Sequence, residues 1–99
     1  MSRQFVVGID AVSDEQKRKL REHFSEGGSW WNWMPNFWLV TTDEESAASA
    51  IRDRICEIAP GADCMVIEID EGSWAGYGPA TVKRNMFNWM KNTWKKAER

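Results

Sequence analysis

Asp10 is the residue in this chain whose type and position could do chemistry. It closes a short apolar run, Phe5-Val6-Val7-Gly8-Ile9, and stands just ahead of a helix start. A carboxylate at the end of a central strand can hold a divalent cation through oxygen. A cation held there activates water and offsets phosphate charge. One carboxylate is too few for this. A two-fold axis nearby would bring in a second Asp10 and complete a site for Mg²⁺ or Mn²⁺. Asp10 would then be both metal ligand and catalytic residue. Glu68 and Asp70 on the last strand are candidate neighbours, because a pairing of first and last strands would draw them in. The plainer role for Asp10 is to cap its own turn, with no cofactor at all.

The charge is distributed unevenly. Residues 1–78 hold seven Lys/Arg against fourteen Asp/Glu, whereas residues 79–99 hold six basic residues against Glu98 alone. Lys83, Arg84, Lys91, Lys95 and Lys96 could meet phosphate, or they could balance the acidic remainder of the chain. The stretch GGSWWNWMPNFWLVTT, residues 27–42, carries four tryptophans and no lysine or arginine. Platforms that stack bases combine aromatic rings with cationic neighbours. The absence of cations favours packing, with Trp30, Trp31, Trp33 and Trp38, joined by Trp74, building the sheet and an interface.

Other chemistry is poorly represented. The loop GSWAGYG lacks both GxGxxG and the phosphate-loop Lys-Ser/Thr. There is no HExxH, nucleophile elbow or Ser/His/Asp order. Cys56, Cys64 and His23 show no zinc-ligand spacing. The thiols read as reduced and buried, and His23 as a surface or half-buried side chain. No apolar run approaches the ~18–20 residues of a membrane span. The N-terminus lacks the long apolar segment of a signal peptide, which gives the expectation of a cytoplasmic protein without a membrane partner.

The elements that must position these residues follow from pattern. Residues 5–9 are β-branched-rich and too short for a helix, so they predict a central strand. Ser13-Asp14-Glu15-Gln16 is a capping box and opens a helix to about Phe24, ended by Gly27-Gly28. Residues 30–34 and 37–42 predict a hairpin turning at Pro35-Asn36, with Trp31 and Trp33 on one face and Trp30 on the other. Thr42 to Glu45 reads as a second capping box, followed by apolar residues at helical spacing as far as Ala59 and a stop at Pro60-Gly61. Cys64 to Ile69 predicts a strand with Met65, Ile67 and Ile69 on one face. Val82, Met86, Trp89, Met90, Trp94 and Ala97 predict an amphipathic C-terminal helix over 79–97. The expectation is one α+β domain over residues 1–99: a ferredoxin-like βαββαβ antiparallel sheet with that helix added.

The run VVGIDAVSDEQKRKLREHF resembles the opening of the small CRISPR-associated endoribonuclease/adaptor family, with Ile9-Asp10 where that family has a Tyr-Asp pair. The chain is also similar to the related SinR-like proteins. The shared features are Trp30-Trp31-Asn32-Trp33, Trp38-Leu39-Val40, Val66-Ile67-Glu68-Ile69 and Trp74-Ala75-Gly76-Tyr77. The resemblance spans roughly residues 5 to 94. It implies a ferredoxin-like homodimer whose strand-end aspartates, here Asp10, face each other and serve metal-dependent cleavage of RNA or DNA. In many members of the CRISPR-associated family the protein acts instead as a structural adaptor.

Two functional expectations result. The first is a non-catalytic homodimeric interaction or adaptor module with a protein partner, in the phage-defence or mobile-element setting that the resemblance implies. The alternative is a metal-dependent endonuclease acting through paired Asp10 carboxylates, with nucleic acid held by the basic C-terminal residues. A chain this small buries a thin core, so its surplus aromatic surface favours self-association.

Overall fold

The computed structural model describes residues 3–42, 47–70 and 74–94. β1 (Arg3–Ile9) is the strand around which the sheet is built. It runs antiparallel to both β3 (Phe37–Thr42) and β4 (Cys64–Ile69), and β2 (Gly28–Met34) pairs with the outer side of β3. The strand order is β2-β3-β1-β4. An internal strand must be apolar on both faces, which accounts for the unbroken run Phe5-Val6-Val7.

Two helices complete this first unit, α1 (Asp14–Glu26) after β1 and α2 (Ala48–Ile58) after β3. Both cover the same sheet face. Leu20 and Phe24 of α1 and Ile51 and Ile55 of α2 share one core with Phe5, Val7, Ile9, Trp38 and Val40. Trp38, Phe5, Ile9, Leu20 and Ile55 are fully buried, so truncating the largest of them to alanine costs ~3–5 kcal/mol. The result is a four-stranded antiparallel sheet with two helices, an α+β arrangement.

The first capping box forms as its sequence predicts. Gln16 N donates to Ser13 Oγ at 3.1 Å, and Ser13 N donates to Gln16 Oε1 at 2.9 Å. Gly27 caps the far end of α1. The second box does not cap α2. Thr42 is the last residue of β3, and α2 begins at Ala48 with Ala47 as its N-cap and no side-chain cap bond. Asp43, Glu44 and Glu45 of that box lie outside the described residues. The turn Pro35-Asn36 joins β2 to β3 as expected, with a register shift between Trp31 and Met34. Asn32 Nδ2 bridges that irregularity, donating to the carbonyls of Met34 (2.7 Å) and Phe37 (2.9 Å).

The chain divides into two units, Met1–Ile69 and Asp70–Arg99. In the second, the Trp74 ring stacks on Phe87 at 6.1 Å and 11°. The expected helix over 79–97 is much shorter. Residues 79–87 form a closed turn, with a bridge between Ala80 and Asn85 and Thr81 N donating to the Arg84 carbonyl at 2.9 Å. Helical geometry begins only at Asn88 and takes a π form over Met90–Trp94. The reason lies in two short polar side chains. Thr81 Oγ1 accepts from Arg84 N and Asn85 Oδ1 accepts from Phe87 N, so both compete for amides that a helix would need. Residues 95–97 of the expected helix lie outside the described residues.

Candidate functional site

β1 delivers Asp10 to the end of the sheet, where it is exposed. Its amide donates to the Asp63 carbonyl at 2.9 Å, and the neighbouring Ile9 amide donates to the Asn36 carbonyl at 3.0 Å. The Asp10 Oδ1 atom accepts from the Ala11 amide at 3.0 Å, and Ala11 adopts a left-handed φ of 59°. The carboxylate therefore closes the turn between β1 and α1, the plainer of its two expected roles. A shallow depression of about 340 Å³ lies beside it, lined among others by Asn36, Asp63 and Met65.

Glu68 and Asp70 are not its neighbours. β4 runs antiparallel to β1, so Ile9 faces Cys64 while Phe5 faces Glu68 at the other end of the strand. The carboxylate brought near Asp10 is Asp63, which the sequence reading did not single out. Glu68 instead meets Arg3 in a two-pronged ion pair, with Nε to Oε2 at 2.7 Å and Nη2 to Oε1 at 2.6 Å. The guanidinium holds the Glu68 carboxyl below its usual range. Among the described residues, no group of three or more His, Cys, Asp or Glu is placed to hold a metal ion.

The tryptophans separate by face. Trp38 is fully buried, touched by Phe24 edge-on at 5.5 Å and by Trp30 at 5.8 Å. Trp30 is half-buried on the helix side and donates from Nε1 to Ser25 Oγ at 3.1 Å. Trp31 points to the opposite face, is also buried, and meets Phe37 edge-on at 6.2 Å. Trp74 is half-buried in the second unit. Of the five residues expected at an interface, only Trp33 is exposed, at 37%.

The sheet face turned away from α1 and α2 holds the least covered apolar side chains of the first unit. Register places Val6 beside Leu39 and Ile67, and Gly8 beside Phe37 and Met65. Leu39 is buried, but Met65 is 66% exposed and Ile67 52%. Both lie on β4, an edge strand of the sheet. The alternation of β4 was legible in the sequence. Which of its faces is open became visible only once its register with β1 was known.

Lys83, Arg84 and Lys91 are exposed in the second unit, and the first two sit on the closed turn rather than on a helix face. Lys95 and Lys96 lie outside the described residues. His23 is half-buried, with Nδ1 3.5 Å from Glu26 Oε1, beside a cleft of about 240 Å³ that Arg54 also lines. Among the described residues no helix is long and apolar enough to cross a membrane. No family model, curated protein or solved structure matches the chain.

Proposed function

We propose that this protein is a homodimeric interaction module of ferredoxin-like build, working as an adaptor rather than through a reaction of its own. The observation that carries the reading is the exposure of Met65 and Ile67 on an edge strand. Large apolar side chains on an open strand are a recurrent mark of association, and an edge strand still has backbone groups to offer a partner. A two-fold axis beside β4 pairs the strand with its own copy and sets each Met65 and Ile67 against the other chain, a self-complementary contact. Trp33, exposed on β2 at the opposite edge of the sheet, is a separate point for a different protein partner. The phage-defence or mobile-element setting rests on the sequence resemblance alone. Co-expression of tagged and untagged copies tests the dimer. Recovery of the untagged copy with the tagged one supports it, and failure to recover any untagged chain from well-expressed protein contradicts it.

The second reading is a metal-dependent endonuclease with one Asp10 from each chain, favoured by the exposure of Asp10 beside Asp63 at the sheet end. Mg²⁺ or Mn²⁺ would supply water activation there. Labelled RNA and DNA, with and without the metal, distinguish it from the adaptor reading. Cleavage that requires both the metal and Asp10 establishes the nuclease. Intact substrate with folded wild-type protein removes it.

A further inference from the structure

Cys56 and Cys64 are both free thiols, one in the last turn of α2 and one at the start of β4. The connector between them is short and tightly folded. Gly61 takes a φ of 89°, and the Ala62 amide donates back to the Ala59 carbonyl at 3.1 Å. Cys64 faces the helix side of the sheet, where it packs against the core. It shares a groove of about 180 Å³ with Ser49 and Arg52 of α2. Arg52 and Cys56 are one helical turn apart, on the same face of α2. This places both thiols at one junction of helix and strand, the end of α2 and the start of β4.

The two thiols differ in accessibility. Cys56 is exposed and Cys64 is half-buried. Burial, with Cys56 alongside, pushes the Cys64 thiol up from its usual range, and the Asp63 carboxylate acts in the same direction. Arg52, on the other side of that groove, acts on the Cys64 thiol in the opposite direction, although its guanidinium is also engaged by Asp53 at 2.8 Å. An exposed thiol beside a half-buried one, with a cation on the same helix face, is an arrangement of attacking and resolving groups.

We propose that Cys56 and Cys64 are a modification site: a small-molecule disulfide of the glutathione class oxidises them to an intramolecular bridge that staples α2 to β4. The Cys56 thiolate attacks one sulfur of the oxidant, forming a mixed disulfide and releasing one small thiolate. Cys64 then loses its proton to solvent and attacks the Cys56 sulfur, forming the protein disulfide and releasing the second small thiolate. Two protein thiols are oxidised, one small disulfide is reduced to two thiols, and no other reactant is needed. The bridge fixes the junction next to the Asp10 depression and just ahead of the exposed pair on β4.

The test uses the full chain in glutathione disulfide, followed by intact mass and free-thiol titration under native conditions. The wild type should lose both free thiols and about 2 mass units without retaining an adduct, because ring closure expels the glutathione. Cys64→Ser should instead hold a single glutathione, having no resolving thiol. Cys56→Ser should react more slowly than Cys64→Ser, since only the half-buried thiol remains. Stable double glutathione adducts on the wild type, or disulfide-linked chain pairs in place of the internal bridge, would overturn the proposal. So would faster labelling of Cys56→Ser than of Cys64→Ser.

Discussion

The Asp10 carboxylate caps the Ala11 amide at 3.0 Å, and Ala11 is held at a φ of 59°. A left-handed conformation costs an L-residue ~1–2 kcal/mol, and glycine escapes most of that cost. Ala11→Gly should therefore raise stability by about 0.5–1 kcal/mol after its extra unfolded-state entropy is subtracted. The denaturant midpoint reads this directly. A destabilised Ala11→Gly variant would mean that the alanine methyl makes a packing contribution larger than the backbone strain.

Gly28 is the second position where the backbone fixes the residue. A Cβ there would lie 1.8 Å from the Thr41 carbonyl oxygen, which belongs to the paired strand and cannot swing aside. Gly28→Ala should cost about 3 kcal/mol, at the upper end of overpacking penalties. Gly27→Ala, at the helix cap itself, should cost less, because Gly27 has an ordinary negative φ of −132°. Thermal or urea denaturation of the two variants side by side gives the ranking.

The Arg3–Glu68 pair makes stability depend on pH in a defined direction. The Glu68 carboxyl titrates below its ordinary value of 4.5 in the folded protein, because Arg3 hydrogen-bonds to its charged form. A depressed folded value means that the contribution is fully present above the unfolded carboxylate range. It is lost as pH falls through the folded value. The wild type should thus exceed Glu68→Gln in stability at neutral pH, by a small margin because both partners are partly exposed, and the margin should close in acid. Parallel unfolding curves at neutral and strongly acidic pH check this.

The capping box of α1 was readable in the sequence, and Ser13→Ala should cost about 1 kcal/mol in the same unfolding assay. It was readable because all four residues act locally. The central position of β1, the α1 face of Leu20 and Phe24, and the turn at Pro35-Asn36 were legible for the same reason: each depends on a short period or a single turn. The neighbours of Asp10 were misassigned. The antiparallel sheet was itself expected, and it sets the start of β4, next to Asp63, against the end of β1; placing Glu68 and Asp70 there overlooked that sense. The C-terminal stripe misled differently. Val82 and Met86 have helical spacing, yet Thr81 and Asn85 bind nearby amides and break the helix between them. Period alone does not weigh that competition.

In the proposed dimer β4 pairs with its own copy and brings Met65 and Ile67 of both chains into the contact. Sedimentation velocity across a micromolar concentration series, comparing wild type with the Met65→Lys, Ile67→Lys double variant, tests it most directly. Both side chains are exposed within one chain, so the double variant should fold with a wild-type circular dichroism spectrum. The expected result is a dimer for the wild type and a monomer for the folded variant, since two lysines from each chain would be forced together in the contact. A wild type that stays monomeric throughout the series, or a double variant that dimerises as well as the wild type, would contradict it.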